Sequence, residues 1–439
     1  TERFQGQGLW MNLSVVGTGY VGLVTAACFA DLGHTVIAVD QDPNRIQLLG
    51  KGQAPFYEPG LEELLRRVNR SRRLTYSTDA GEAVRCSEVI FITVGTPSRE
   101  GGEVDLTAVV AVAESIAPFL SDYRLIVEKS TVPARTGGRI RDQIRLLTHP
   151  SVQFDIACNP EFLREGSAIH DFLHPDRIIL GVENERSERL LRELYRPFDC
   201  PILVTDLNTA ELIKHASNAF LATKISFINA VANICERVGA DIRLVAEGMG
   251  YDARIGRAFL DAGVGYGGSC FPKDVAAFIQ LAKEAGYDFR LLEEVARVND
   301  QQRDRLLQHL KDALWVLPNR TVTVLGLSFK PNTSDLRGAP SVAIIEALRR
   351  EGAVVRAYDP AAEAEARQIM PDVAYFQDPY EAARGSDAVI LLTEWDEFRT
   401  LDLMRLKGVM RRAVLIDGRN ILDSSTARGL GFHYAGMGR

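Results

Sequence analysis

Cys270 is set in a run of unusual neighbours: Gly265-Tyr266-Gly267-Gly268-Ser269 precede it and Phe271-Pro272-Lys273-Asp274 follow it. Glycines at this density describe an exposed loop where a ligand can come close to the backbone. A thiolate held there can add to an aldehyde. Hydride loss from the resulting thiohemiacetal gives a thioester, and water releases an acid. Lys273 is a nearby cation that would lower the thiol pKa, and Asp274 is a carboxylate suited to moving protons. The plain alternative, one more buried cysteine, is opposed by the glycines and Ser269.

A second constellation supplies the oxidant. Gly17-Thr18-Gly19-Tyr20-Val21-Gly22 lies between a strand pattern, Met11–Val16, and a helical pattern, Leu23–Asp31. Glycines at these spacings let the backbone turn tightly and approach a pyrophosphate at a helix N-terminus. Asp40 ends the next strand pattern, Thr35–Val39, where a carboxylate can accept both hydroxyls of an adenine ribose and repel a 2′-phosphate. This favours NAD over NADP. FAD uses the same geometry, and a merely tight turn is the bland reading; the strand before, the helix after and the acid in place argue for a cofactor. The equivalent place in the second half, Gly326-Leu327-Ser328-Phe329-Lys330, lacks the second and third glycines, so no second dinucleotide is expected. Lys330 and Arg337 read as contacts to other phosphates or as solvated basic side chains.

Lys214 and Asn218 stand four apart on a helical pattern and share a face. The lysine could polarise a substrate oxygen, and the asparagine could orient water; a solvated surface pair is the competing reading. Glu161 and Glu165, in Asn159-Pro160-Glu161-Phe162-Leu163-Arg164-Glu165, follow a strand pattern where ligands gather in open α/β sheets. They suit acid/base work or the N-terminus of a helix. Thr131 and Thr96 also follow strand patterns, in loops that would reach the reactive end of the cofactor.

The elements that must position these residues alternate. Buried-strand runs recur at Val89–Thr93, Leu125–Val127 and Phe154–Ala157, with helical patterns between, which implies a parallel sheet covered on both faces. Asn208-Thr209-Ala210-Glu211 reads as a capping box opening a long helix through Arg237 that stops at Gly239. Helical segments continue to about Trp315 and suggest a spine and a dimer surface. A second α/β half follows, with strands at Thr321–Leu325, Val354–Tyr358, Ala388–Leu392 and Val414–Ile416. The predicted class is α/β, with two Rossmann-like doubly wound domains joined by a central helical region. Its parts are a non-native or disordered extension over residues 1–10, then domains at 11–205, 206–315 and 316–439.

A chain of 439 residues is too long for one core. Its net charge of −7 argues against general nucleic-acid binding. No apolar run is long enough to span a bilayer, and no secretory leader pattern is present. The six cysteines show neither metal-site nor disulfide-framework spacing, so no metal is expected and the chain reads as cytoplasmic.

Together these motifs resemble the nucleotide-sugar 6-dehydrogenases, the UDP-glucose/GDP-mannose dehydrogenase family, from about Met11 to Leu422. The resemblance is most specific at Glu211–Asn218, Asp252–Gly256, Gly265–Asp274 and Phe329–Arg337. It implies NAD as cofactor and UDP-glucose as substrate, oxidised by four electrons to UDP-glucuronate for polysaccharide precursors, with GDP-mannose or another nucleotide sugar as the alternative. It makes Cys270 the nucleophile and Lys214 the stabiliser of alkoxide and oxyanion. Asn218 and Asp274 place water and move protons, while Glu161 and Thr131 serve thioester hydrolysis. Gly17, Gly19, Tyr20, Val21, Gly22, Asp40, Thr96, Thr131, Glu165 and Arg337 fall to the cofactor. Glu161, Phe162, Leu163, Glu165, Lys214, Asn218, Phe259, Tyr266, Gly267, Lys330 and Arg419 fall to the substrate, and Arg254 is implied to cross a homodimer interface to the partner's substrate.

Two rivals remain on the residues. A single-step hydroxyacid dehydrogenase needs the lysine and asparagine but not Cys270. A non-catalytic sugar-nucleotide sensor would be expected to have lost one of Thr131, Glu161, Lys214, Asn218, Cys270 or Asp274, and all are present.

Overall fold

The computed structural model describes residues 10–99 and 101–439. Of the expected extension over residues 1–10, only Trp10 is described, and the rest lies outside these residues. The Trp10 ring covers Gly33 so closely that a Cβ there would fall 1.9 Å from a ring carbon, and the Arg73 guanidinium stacks 5.2 Å from the ring centre. The chain divides into two compact units, residues 1–217 with 276–285, and residues 218–275 with 286–439. The division falls within the long helix, Leu207–Val238.

The first unit is built on strands β1 (Asn12–Val16), β2 (Thr35–Val39), β3 (Leu74–Ser77), β4 (Val89–Ile92), β5 (Arg124–Glu128), β6 (Phe154–Cys158), β7 (Ile178–Gly181) and β8 (Ile202–Thr205). Their order is β3-β2-β1-β4-β5-β6-β7-β8, parallel except where β7 meets β6 through Cys158 and Gly181. Side chains alternate across the sheet. Val89 and Phe91 pack into the core on one face, Ile90 and Ile92 into the core on the other. Burial on both faces is why these strands read as unbroken apolar runs. Each fully buried Ile or Phe contributes about 1.5–3 kcal/mol.

The second unit repeats the design with β9 (Thr321–Leu325), β10 (Val354–Tyr358), β11 (Ala374–Tyr375), β12 (Ala388–Leu391), β13 (Val414–Asp417) and β14 (His433–Gly436). The order is β11-β10-β9-β12-β13-β14, all parallel. The unit also holds a small helical core in which Ile228, Ala232 and Cys235 pack on Ile242 and Ala246. Both sheets therefore show the doubly wound arrangement, and the class is α/β as expected.

Three strands have the expected limits: Thr35–Val39, Thr321–Leu325 and Val354–Tyr358. The short strands β3, β8 and β11 lie at sheet edges and are only partly buried, so they lack the long buried apolar run of the central strands. The first helix begins at Tyr20 rather than Leu23, because Gly19 is its extended cap. The capping box at Asn208–Glu211 does not form. Asp206 caps the long helix instead, accepting from the Thr209 amide at 3.0 Å and the Thr209 hydroxyl at 2.6 Å. Glu211 reaches away, accepting the Arg135 and Gly137 amides at 2.7 Å each. Asp206 is the better placed cap by one turn position, and the buried amides after β5 compete for the longer side chain.

Candidate active site

In the first unit the strand order reverses between β1 and β4, and the crevice at their carboxyl ends is where open α/β sheets bind ligands. Gly17 (φ +102°) and Gly22 fill it from below. A Cβ on Gly17 would lie 2.8 Å from the Thr93 carbonyl, and one on Gly22 would lie 1.9 Å from the Gly17 carbonyl. A Cβ on Gly19 would meet nothing within 4 Å. That open face sits at the N-terminus of the helix Tyr20–Asp31, whose first-turn amides, Tyr20 and Val21 included, have no intrahelical acceptor. The cradle fits a pyrophosphate.

Asp40, just past β2, accepts from the Thr18 amide at 2.9 Å, the Thr18 hydroxyl at 2.7 Å and the Asp42 amide at 3.1 Å, with Arg45 at 3.3 Å. Burial opposes its charge, but the Thr18 bonds hold the carboxyl below its ordinary value. It is an ionised acceptor where a dinucleotide ribose would come, so the residues present fit NAD. In the second unit the matching acid, Asp359, is buried and spent within its own turn, on the Leu327 and Ser328 amides at 2.7 and 3.1 Å and the Trp395 indole at 3.2 Å.

The Thr96 hydroxyl donates to the Thr131 carbonyl at 2.9 Å and ties the loop after β4 to the loop after β5. After β6, Glu161 and Glu165 lie in a loop, not at a helix N-terminus; the next helix starts at Ala168. Glu161 is buried. One oxygen meets the Lys214 ammonium at 3.0 Å, and the other accepts the Leu163 amide at 2.6 Å. Lys214 is therefore no surface lysine, and Phe162 lies beneath it with its ring centre 5.2 Å away.

The sequence reading missed what supports this pair. The buried Lys129 ammonium lies 2.9 Å from Asn159 Oδ1, which also accepts the Tyr195 hydroxyl, while the Asn159 amide donates to the Ile179 carbonyl at 2.9 Å. Burial pulls the Lys129 amine down to about 8; the Glu161 carboxylate pulls it up and the Lys214 ammonium adds to the fall. A cavity of about 140 Å³ is lined by Lys129, Asn159, Glu161, Phe162, Leu163 and Arg177, among others. The signal in the sequence was the charged pair Glu128-Lys129 closing an apolar strand directly before a ligand-side loop.

In the second unit Cys270 is exposed and directly precedes the helix Phe271–Glu284, its carbonyl accepting the Asp274 amide at 2.8 Å. The positive end of a helix favours a thiolate. The buried Asp274 carboxylate accepts from the Asn218 amide at 2.5 Å and lies 3.4 Å from the Lys273 ammonium. Asn218 is likewise buried rather than solvated.

The same unit holds a cavity of about 540 Å³ lined by Phe259, Tyr266, Gly267, Lys330 and Arg419 together with Arg257 and Asn420. Gly267 has no room for a side chain, since a Cβ would fall 2.2 Å from the Gly338 carbonyl. Arg419 braces the wall as much as it faces the cavity: it donates to the carbonyls of Leu392, Gly265 and Phe329 at 2.8, 3.0 and 3.3 Å. Arg254 and Arg337 do not line this cavity. Each is exposed and paired with an aspartate two residues earlier, Asp252 and Asp335, at 2.6 Å. Among the described residues no group of three or more His, Cys, Asp or Glu side chains is placed to hold a metal ion, and no helix is long and apolar enough to cross a membrane.

Comparison with known proteins agrees with this geometry. Residues 11–199 match the NAD binding domain of the UDP-glucose/GDP-mannose dehydrogenase family, residues 208–301 its central domain and residues 323–424 its UDP binding domain. The chain is 46% identical to the UDP-glucose 6-dehydrogenase TuaD of Bacillus subtilis, covering 98% of this chain and 93% of that one. It is equally 46% identical to the UDP-glucose 6-dehydrogenase of Rhizobium meliloti, covering 98% and 100%. A solved UDP-glucose dehydrogenase from Pyrobaculum islandicum superposes with a TM-score of 0.93 at 40% identity, covering 98% of each chain. Matched by three family models in succession and by relatives at 46% identity along nearly its whole length, the chain belongs to the UDP-glucose/GDP-mannose dehydrogenase family.

Proposed function

We propose that this protein is an NAD-dependent UDP-glucose 6-dehydrogenase that oxidises the sugar C6 alcohol to the acid through a covalent intermediate on Cys270. The observation that carries the covalent step is an exposed cysteine at a helix N-terminus, one turn before a buried Asp274–Asn218 pair. NAD, when bound, supplies the hydride acceptor for each of the two oxidations. Gly17, Gly19, Gly22 and the first-turn amides of Tyr20 and Val21 hold its pyrophosphate, and Asp40 its ribose. Thr96, Glu165 and Arg337 complete the cofactor contacts.

Lys214 stabilises the oxygen that becomes negative when the alcohol gives its proton to water held by Asn218 and Asp274, and when the thiolate or water adds. The Cys270 thiolate adds to the aldehyde carbon, and hydride loss leaves the thioester. Asn218 and Asp274 place the attacking water, Glu161 accepts its proton with Thr131 alongside, and Cys270 leaves as thiolate. Phe259, Tyr266, Gly267, Lys330 and Arg419 form the UDP pocket. Residues 11–205 serve NAD, 206–315 carry the lysine, asparagine and cysteine, and 316–439 hold UDP. The test is the NADH formed per UDP-glucose consumed, run beside GDP-mannose and UDP-N-acetylglucosamine. Two NADH from UDP-glucose alone is the expected result, and one would remove the thioester.

The enzyme acts as a homodimer through the long helix, where Phe220, Phe227, Ile234 and Val238 form an exposed apolar stripe at near-heptad spacing. Arg254 then serves the partner's substrate. Phe227→Glu is expected to give a monomer in sedimentation. The cysteine usage supports a cytoplasmic location, which fractionation tests.

A further inference from the structure

We infer that Glu58 is a positioning residue that couples the dinucleotide loop to the loop carrying Glu161 and Glu165. The inference rests on the assignment of those loops to cofactor and substrate given above. The two loops follow β1 and β6, which are not neighbours in the sheet: β4 and β5 lie between them. Backbone pairing alone therefore gives no direct link from one to the other.

Glu58 supplies the link. It lies just before Pro59-Gly60, is only 6% exposed, and is satisfied by donors from both loops. Its Oε1 accepts the Ala168 amide at 2.8 Å, and its Oε2 accepts the Gly166 amide at 2.6 Å and the Tyr20 hydroxyl. The Gly166 amide is also 2.9 Å from the Tyr20 oxygen. Tyr20 opens the helix whose amides face the pyrophosphate, and Gly166 is the residue after Glu165. Gly166 has φ +83°, a conformation that suits glycine and turns its amide out of the loop's own hydrogen bonding.

A buried carboxylate held by three neutral donors is stable only while all three stay in place. A shift of Tyr20 when the dinucleotide binds must be followed by Glu58 and by the 165–166 peptide. A shift of the Glu165 loop when the sugar nucleotide binds travels back the same way. By linkage, each ligand then tightens the other by the same factor.

The test is NADH binding followed by fluorescence, with and without saturating UDP-glucose, since NADH cannot accept a hydride and no turnover occurs. In the wild-type protein UDP-glucose is expected to tighten NADH roughly fivefold or more. Glu58→Gln keeps the shape but replaces one acceptor oxygen by a donor. Tyr20→Phe keeps the ring and removes only the hydroxyl. Both are expected to bring the coupling factor toward one; Glu58→Gln is expected to leave each ligand's own affinity unchanged, and for Tyr20→Phe the factor, a ratio of two NADH affinities in the same variant, is read whatever that variant's own NADH affinity. An unchanged factor in both variants, with only a lower melting temperature, would reduce Glu58 to structural support and overturn the inference. If Glu58→Gln does not fold, Tyr20→Phe decides alone. Wild-type protein that binds both ligands without coupling overturns this inference only; failure to bind either overturns the functional assignment with it.

Discussion

The Lys214 ammonium lies 3.0 Å from Glu161 Oε1, and both side chains are buried, so each holds the other's charge in a place that would otherwise expel it. Removing one partner leaves the other uncompensated. Lys214→Met is expected to lower unfolding stability by about 3–5 kcal/mol, read by denaturant melts. Turnover is expected to fall by roughly 100-fold or more, because the proposed stabiliser of the developing oxyanion is gone. Adding Glu161→Gln should recover stability but not turnover.

Cys270 is exposed, so Cys270→Ala removes chemistry without removing packing. The melting temperature should stay within experimental scatter of the wild type, and UDP-glucose binding should persist by calorimetry. Acid formation should stop. Two NADH per UDP-glucose from the variant would refute the thioester.

Asp40 holds Thr18 at the glycine loop and is ionised at the place proposed for the cofactor ribose. Asp40→Ala is expected to weaken NAD binding roughly 10- to 100-fold, the worth of hydrogen bonds to a charged group. UDP binding should not change, because the cavity with Lys330 and Arg419 shares no residue with this loop. Equal NAD affinity in wild type and variant would displace the dinucleotide from this turn.

Glu128 gives a pH dependence with a definite sign. Burial raises its carboxyl from 4.5 to about 8, against the Ser130 bonds that lower it. Below about 4.5 the folded and unfolded chains both hold the proton; between there and about 8 only the folded chain does. Stability is therefore fully present at low pH and is lost as pH rises through that window. Glu128→Gln should flatten this fall, raising the melting temperature more at pH 8 than at pH 5. Glu211, raised to about 7 by burial, supplies a smaller slope of the same sign that remains in the variant.

What the sequence determined by itself is local. Strands such as Val89–Ile92 and Ala388–Leu391 are legible because a strand buried on both faces must be continuously apolar. The cofactor turn is legible because Gly17 and Gly22 answer a backbone demand within one βα unit while Gly19 leaves the face above them open, and Cys270 because its loop and helix start are contiguous. What only the tertiary structure decided is which distant groups share a charge or a proton. Lys214 meets Glu161 across 53 positions, and Glu58 meets Gly166 and Ala168 across 108 and 110. Asn218 meets Asp274 across 56, and Glu211 leaves its expected capping role for amides 74 and 76 positions away. Helical spacing could not separate Lys214 and Asn218 from a solvated pair, because burial depends on what the rest of the chain lays over that face. Hydrogen bonds between buried polar groups are set by the packing that excludes water, and that packing exists only in the folded chain.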